Sequence, residues 1–340
     1  MSASSPASRR WKRFRAHKRG YWSLILFAWV FAFSLASDFL CNDRPLVISY
    51  QGRFLFPLWN YYPETRFGGT LDLETDYSGP EFGKALDQAK GWALWPPIRY
   101  NPSSVNLDLP SPAPTPPSMQ NILGTDDQGR DVFTRLLYGL RTSLVFGLSL
   151  ALISSMVGIF AGAVQGYFGG WIDLLFQRSM EIWAGLPLLF ILMILSSLIQ
   201  PTFIWLLGMM ALFGWMEPVA LVRAEFLRAR QHLYVKSAKV LGVHPFWIVV
   251  RHILPNAMTS VLSFFPFLVS HSIATLTALD FLGFGLPPGT ASLGELLQQA
   301  KTNLFSPWLG LTSFFSIALI LVLITFIGEG LRDAYDPRTS

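Results

Sequence analysis

Cysteine, charge and nucleotide-binding motifs are all scarce in this sequence. Cys41 is the single cysteine, which excludes a disulfide within the chain and a metal site built from several cysteines. Charged residues make up only 14% of the chain and hydrophobic residues 51%, a balance too apolar for a typical soluble domain. No GxxxxGK(S/T) phosphate loop occurs, so any energy taken from ATP must come from another polypeptide.

The histidines give no indication of catalysis. They are scattered along the chain, and neither an HExxH nor a GxSxG motif is present. The sequence therefore offers no catalytic residue, no metal ligand set and no cofactor site, and it disfavours a membrane-embedded enzyme.

Six long apolar runs are the main positive feature, and each is about the length needed to cross a bilayer. They are Trp22–Leu40, Ser143–Tyr167, Met180–Ile199, Phe203–Val222, Ala257–Leu279 and Trp308–Ile327. The sequence predicts an all-α integral membrane protein with a first transmembrane helix over 22–40 and the other five in a core over 143–330. The first run also has a basic flank and a small-residue pattern at Ser34–Ala36, so a cleavable signal peptide is an alternative.

Basic residues indicate which ends of the runs face the cytoplasm. They concentrate before the first run and between the fourth and fifth runs, and cytoplasmic loops carry an excess of Lys and Arg. This pattern predicts a cytoplasmic N-terminus over 1–21 and a cytoplasmic C-terminus over 331–340, which contains Arg332 and Arg338. The basic residues of the N-terminus are Arg9, Arg10, Lys12, Arg13, Arg15, Lys18 and Arg19.

Between the first two runs lies a polar insert over 41–120, which this topology places in the periplasm. Alternating aromatic pieces at Leu46–Tyr50, Phe54–Leu58 and Trp92–Tyr100 predict short strands and turns, followed by the proline-rich connector Pro110–Ser118. A poorly ordered loop is the alternative. Residues 121–142 follow with apolar side chains at helical spacing, which predicts an amphipathic interfacial helix capped by Asp127 and supported by an Asp131–Arg135 pair.

Within the core, small residues and a few ionisable ones stand out. Ser154, Gly158, Gly162 and Gly166 recur at four-residue spacing, which predicts a face where two helices pack closely. Ionisable side chains inside apolar runs mark a pathway or a partner. Glu181, Glu217 and His271 are therefore candidate cavity-lining or inter-subunit polar residues, and a salt bridge from Glu217 to Arg223 is an equal possibility.

The cytoplasmic segment over 224–256 contains two short amphipathic halves. Leu227, Tyr234, Ala238 and Leu241 share one predicted helical face in the first half, and Phe246, Val249, Val250 and Ile253 share one in the second. Gly242 suits the left-handed position that ends a helix, Pro245 suits the first turn of the next one, and Pro255 is predicted to stop it. The pair is either a docking element for a soluble partner or an interfacial helix pair resting on the bilayer.

This segment resembles the EAA loop of ABC importer permeases, whose pattern is Glu-Ala-Ala, three residues, Gly, nine residues and Ile-x-Leu-Pro. Lys236, Ser237 and Ala238 occupy the Glu-Ala-Ala positions, Gly242 the glycine, and Leu254 and Pro255 the ending. Lys236, Ser237 and His252 depart from the pattern. The resemblance implies that the segment couples to the ATPase through these residues together with Tyr234, Arg251 and His252.

Two further stretches narrow the resemblance. Leu123–Leu144 and Leu279–Leu297 are similar to signatures of the C-type permease of dipeptide and oligopeptide importers, and the Arg-His-Ile-Leu-Pro-Asn run from Arg251 is usual in that branch. The aromatic insert, with Arg44–Leu58 and Gly91–Tyr100, resembles the Yej-type permeases of microcin C and oligopeptide importers.

The resemblance implies a non-catalytic permease subunit of the bacterial inner membrane that translocates peptides, including microcin C-like peptide-nucleotides. Its implied partners are a homologous second permease, ATP-binding subunits that hold ATP and magnesium, a periplasmic peptide-binding protein and the lipid bilayer, with no nucleic acid. The alternative is a proton-coupled secondary transporter with Glu217 and His271 as a relay. Internal inverted repeats would support that alternative, and none is evident in the sequence.

Overall fold

Helices make up most of the chain in the computed structural model, which describes residues 6–335. Arg338 and the end of the predicted C-terminal segment lie outside the described residues. In chain order the helices are α1 Pro6–Ala16, α2 Lys18–Leu35, α3 Ser37–Leu40, α4 Pro80–Gln88, α5 Val132–Phe168, α6 Gly170–Ala184, α7 Leu188–Leu198, α8 Phe203–Gly214, α9 Met216–Ala229, α10 Leu233–Val240, α11 Pro245–Trp247, α12 Leu254–Leu282, α13 Leu293–Thr302 and α14 Pro307–Tyr335.

Four stretches of helix within residues 6–335 are long and apolar enough to cross a membrane. They are Val132–Phe168, Phe203–Ala229, Pro245–Leu282 and Pro307–Tyr335, and the second is interrupted only at Trp215. The interruption lies just before Pro218, which lacks the N–H that would bond to the carbonyl of Gly214. A fifth span results if α6 and α7 are counted together as one. With four or five candidate spans, the chain is a mostly helical integral membrane protein.

The predicted third span, Met180–Ile199, is broken in the structure. Helix α6 ends at Ala184, α7 begins at Leu188, and the two are bent by 63°. Pro187 explains the break because it has no N–H and keeps the preceding residue, Leu186, out of the helical region. The run predicted as one span therefore belongs to two helices at an angle rather than to one continuous helix.

The predicted first span, 22–40, is also not one continuous helix. Helix α2 ends at Leu35, and α3 is a separate four-residue helix. Lys18 and Arg19 occupy the start of α2, so its apolar part, Tyr21–Leu35, is about 22 Å long at 1.5 Å per residue. That is shorter than a hydrocarbon core of about 30 Å.

The predicted interfacial helix over 121–142 is replaced by the first turns of α5, which runs from Val132 to Phe168 without a break. Asp131, rather than Asp127, caps this helix, because its Oδ2 accepts hydrogen bonds from the Thr134 N–H at 2.7 Å and from the Thr134 hydroxyl at 2.8 Å. With its carboxylate turned to the cap, Asp131 does not form the predicted pair with Arg135, whose carboxylate partners are Asp126 and Glu295.

Three short strands occur in the insert, in the order β2–β1–β3, with β1 Val47–Tyr50, β2 Arg53–Leu55 and β3 Trp92–Leu94. Both pairings are antiparallel. One face of the sheet is buried through Ile48 and Leu55, and these pack with Phe67, Tyr77 and Phe82 from the following turns and α4. The insert therefore has its own small aromatic core.

The fold divides into two compact units. Among the described residues, the first comprises those up to Trp29, Ser143–Pro288 and those from Phe315 to Tyr335, and the second comprises Val30–Thr142 and Gly289–Phe314. In the first unit, α5, α7, α8 and α12 share a core that includes Phe146, Leu192, Leu206, Met210 and Leu276. The 224–256 segment packs into a separate core of the same unit.

Candidate functional site

The first half of the 224–256 segment is the short helix α10, which ends at a glycine-dependent turn. Gly242 has φ +74°, and the N–H groups of Gly242 and Val243 donate to the carbonyls of Lys239 and Ala238 at 3.1 Å each. This is the Schellman arrangement, in which a left-handed residue closes the helix and satisfies its last carbonyls. Gly242 therefore fixes the angle at which the chain leaves α10.

A substitution at Gly242 should cost stability although nothing lies within 4 Å of the position where a Cβ would be. Gly242→Ala forces a side chain into the left-handed region, and we expect a loss of about 1–2 kcal/mol. Gly83→Ala is the matched control, because Gly83 also has open space but lies inside α4 without a positive φ. Thermal unfolding of the two purified variants tests this prediction, and equal melting temperatures would contradict it.

The buried face of the segment differs from the predicted one. Val235 and Ala238 are buried in α10, and Ile248 and Ile253 are buried in the second half. Of the residues predicted to share a face in each half, Ala238 and Ile253 are buried, whereas Tyr234, Leu241 and Phe246 are exposed. The buried residues join a cluster with members of α5, α9 and α12, namely Ala163, Tyr167, Val222, Phe226, Ala229, Ala257 and Val261. The segment is therefore packed on the membrane helices of its own unit, and the amino group of Lys239 also lies 4.8 Å from the centre of the Tyr167 ring.

Pro255 does not stop the second half of the segment. The chain is helical from Pro245 to Leu282 and passes through a π-helical turn at Ile248–Ile253. Pro255 lacks an N–H, and its ring crowds the carbonyl four residues earlier in an α-helix. In the π turn the backbone hydrogen bonds reach back five residues instead of four, as the Leu254 N–H does in donating to the Val249 carbonyl. The helix can therefore continue past the proline.

The outer surface of the segment is apolar and basic. Large apolar side chains are exposed there, with Val240 88% and Leu241 81% accessible to solvent. The others are Leu233, Tyr234, Phe246, Trp247 and Val250. Of the residues matched to the EAA pattern, Tyr234, Lys236, Ser237, Gly242, Arg251 and Pro255 are exposed, His252 and Leu254 are half-buried, and Ala238 is buried.

The small-residue row of α5 lies against α8 and α9. A Cβ added at Gly158, Gly162 or Gly166 would meet a backbone carbonyl of α9 or of Trp215 just before it at 2.9, 2.9 and 2.7 Å respectively. The facing row also has four-residue spacing and consists of Gly214, Pro218, Val222 and Phe226, with Gly214 opposite Ser154. The sequence pointed to the row on α5, whereas its partner row contains only one glycine and was missed.

An ion pair holds α6 to α9 in the same unit. The Nε and Nη2 atoms of Arg223 donate to the two carboxylate oxygens of Asp173 at 2.6 Å each. The alternative salt bridge from Glu217 to Arg223 is therefore wrong, because Arg223 is engaged in this bidentate pair. The sequence did not single out Asp173, which lies fifty residues away.

Glu217 and His271 line the same cavity, of about 390 Å³, between helices of the first unit. Ser154, Ser272 and Thr275 add hydroxyl groups to a lining that is otherwise apolar. Glu181 does not line this cavity, and its carboxylate pairs with Arg178 on the exposed surface of α6. Two of the three ionisable residues predicted to matter in the membrane are thus brought together, and the third is not.

The two stretches similar to C-type permease signatures, Leu123–Leu144 and Leu279–Leu297, meet in a buried ion cluster of the second unit. Asp126 accepts from the Nε of Arg130 at 2.6 Å and lies 3.3 Å from the Nε of Arg135, and both arginines also contact Glu295. Arg135 and Asp126 are fully buried, and Gln299 donates to Glu295. Two positive and two negative groups balance one another. We interpret the cluster as a structural contact that holds the two stretches together.

The described residues contain no group of three or more His, Cys, Asp or Glu side chains that could hold a metal ion. Across residues 6–335, the features that stand out are a cavity, a closely packed helix crossing and a segment with one buried and one exposed face.

The comparison with known proteins defines the class. Residues 154–340 match the family of binding-protein-dependent transport system inner membrane components, and the chain belongs to that family. It is a multi-pass inner-membrane protein and a non-catalytic permease subunit of an ABC importer, in which the ATPase is a separate subunit. This membership does not favour the proton-coupled alternative.

Three relatives show which branch of the family this chain resembles. The chain is 53% identical over 99% of both chains to the inner membrane ABC transporter permease protein YejE of Escherichia coli (strain K12). It is 49% identical to the peptidoglycan transport system permease protein YejE of Agrobacterium fabrum, over 98% of this chain and 94% of the relative. It is 34% identical to the oligopeptide transport system permease protein OppC of Lactococcus lactis, over 64% of this chain and 76% of the relative. The resemblance to ABC peptide-importer permeases of the Yej type is thereby confirmed.

Proposed function

We propose that this chain is the permease through which an ABC importer passes peptides across the inner membrane, with ATP and magnesium bound by separate ATP-binding subunits. The names of its oligopeptide and dipeptide permease relatives support the substrate class. A second permease, a periplasmic peptide-binding protein and the bilayer complete the assembly, and no nucleic acid takes part. The substrates include oligopeptides and microcin C-like peptide-nucleotides.

The proposed topology has six spans, with α2 and α3 as the first and the bent pair α6 and α7 as the third. Both termini and the 224–256 segment then lie in the cytoplasm, and the insert and the ion cluster lie in the periplasm. The basic residues before α2 and around α10 support this orientation, because cytoplasmic loops are enriched in Lys and Arg.

The observation that carries the coupling role is the contrast between the two faces of the 224–256 segment. Val235, Ala238, Ile248 and Ile253 anchor one face to the membrane helices, while Val240 and Leu241 are almost fully exposed. Exposed apolar groups beside basic ones are typical of a surface that binds a protein. We propose that the ATP-binding subunit covers this face, so that its movement is delivered to α9 and α12.

Peptide uptake by the reconstituted complex tests both the function and the docking surface. Val240→Asp with Leu241→Asp places two charges in the proposed interface without touching the buried face, and we expect ATP-dependent uptake to fall on the order of tenfold or more. The matched control is Leu107→Asp, since Leu107 is equally exposed but lies in the insert. Uptake and ATPase stimulation that survive the double substitution would exclude the docking role, and a wild-type complex that takes up no peptide would exclude the proposed function.

A further inference from the structure

An unbalanced basic surface lies at the start of the chain and has no role in the coupling described above. Seven Lys or Arg residues lie between Arg9 and Arg19, and no Asp or Glu precedes Asp38. All seven are exposed. The salt bridges formed within residues 6–335 include none of them. The surface therefore carries a positive charge that the described part of the chain leaves unneutralised.

Helix α1 is held in place by one face. Phe14 is 2% exposed and lies against Gly330 of α14, and the guanidinium of Arg10 lies 4.8 Å from the centre of the Tyr335 ring. His17 adds a contact of 3.6 Å to Asp333. At 3.6 residues per turn, Arg9, Lys12 and Arg13 fall on the arc of α1 that points away from Phe14. Docking on α14 thus fixes the direction in which this arc points.

The basic arc also lies close to the apolar part of α2. Gly20 packs against α14, with a Cβ at this position 2.9 Å from the Phe326 carbonyl, and the apolar run begins at the next residue. Trp11 and Trp22 are exposed on either side of the junction, and Trp11 stacks on Phe14. Tryptophan is enriched at the level of lipid headgroups, and Lys and Arg beside a membrane helix attract anionic lipids.

We propose that α1 and the first turn of α2 form a binding surface for the headgroups of anionic phospholipids in the cytoplasmic leaflet. The occupant is the lipid surface rather than a protein, because the charge adjoins the apolar run and is flanked by exposed tryptophans. Only two acidic groups of α14 are near, Asp333, which contacts His17, and the exposed Glu329 one turn before it, so the net charge of the surface stays strongly positive. The proposal rests on the proposed placement of α2 in the membrane but not on the transported substrate.

Native mass spectrometry of the full chain in detergent, titrated with phosphatidylglycerol or with phosphatidylcholine, tests the proposal. The test variant carries Arg9→Gln, Lys12→Gln and Arg13→Gln. The matched control carries Arg53→Gln, Lys84→Gln and Lys90→Gln, three exposed cations of the insert. A second control, the charge-keeping variant with Arg9→Lys, Lys12→Arg and Arg13→Lys, changes the same three positions without changing their charge. A loss of binding seen only in the test variant then results from the lost charge and not from a disturbed fold.

A basic residue near a membrane surface is worth roughly fivefold in affinity. We expect the test variant to lose on the order of tenfold or more of its phosphatidylglycerol affinity, while its weak binding of phosphatidylcholine is unchanged. The control and charge-keeping variants should bind both lipids as the wild-type chain does, and raised salt should weaken only the phosphatidylglycerol binding. Equal affinity of the wild-type chain for the two lipids would overturn the proposal. Retained phosphatidylglycerol binding by the test variant would also overturn it. If the test variant kept its lipid binding but bound the ATP-binding subunit less tightly, the basic surface would be a protein interface.

Discussion

Arg135→Met is expected to lower the stability of the protein by about 3–5 kcal/mol, because it removes one partner from a buried ion cluster. Arg135 is fully buried, and its guanidinium lies 2.5 Å from the Glu295 carboxylate, 3.3 Å from Asp126 and 2.8 Å from the Pro102 carbonyl. Methionine restores part of the volume but leaves the two carboxylates with a single arginine, Arg130. The measurement is thermal unfolding of the purified chain followed by its tryptophan fluorescence.

Arg141→Met is the matched control for this prediction. Arg141 lies on the same helix and contacts Asp38 at 2.7 Å, but both side chains are 39% exposed. An exposed pair contributes about 0–1 kcal/mol, so the melting temperature should hardly change. If the two methionine variants unfold at the same temperature, the buried cluster does not stabilise the fold as its geometry indicates.

Gly162→Ala is expected to destabilise the crossing of α5 and α9 by about 1–3 kcal/mol, the usual cost of adding a methyl group to a filled core. The new Cβ would lie 2.8 Å from the Val222 Cβ and 2.9 Å from the Val219 carbonyl. A carbonyl of a neighbouring helix cannot move aside as a flexible side chain can, so the two helices must separate. Unfolding temperature and the yield of monodisperse protein both report this effect.

Gly208→Ala provides the comparison, because Gly208 also lies inside a membrane helix but has nothing within 4 Å of its Cβ position. Alanine favours the helix more than glycine does by about 1 kcal/mol, so this variant should be as stable as the parent or slightly more stable. A Gly162→Ala variant that behaved like Gly208→Ala would show that the close approach of the two helices is dispensable.

Local chemistry explains what the sequence could predict. Gly242 was expected to end a helix and does so, and Pro245 begins the next helix as its missing N–H favours. The apolar runs located the main membrane helices, and the four-residue spacing located the packed row on α5. Each of these features depends on residues within one or two turns of each other.

Features that depend on distant residues were missed or misjudged. Glu295, one of the two carboxylate partners of Arg135 in the ion cluster, is 160 residues away, and Arg223 pairs with a carboxylate on another helix. Proline was misjudged in both directions, because Pro255 is accommodated by a wider helical turn whereas Pro187 splits a run that the sequence predicted as one span. Local rules state what a proline removes, but the surrounding packing decides whether the helix yields or continues.

The π turn at Ile248–Ile253 has a consequence for how the chain can vary. Such a turn amounts to one residue inserted in an α-helix, and each residue of an α-helix advances its side chains by about 100° around the axis. The turn therefore sets the rotational phase between Phe246 and Trp247, on the outer surface, and His271, in the cavity, which all lie on one continuous helix. Loss of a single residue from it would turn one end by more than a quarter of a revolution relative to the other, and would leave Pro255 in a regular α-helix, where its ring crowds the carbonyl four residues earlier.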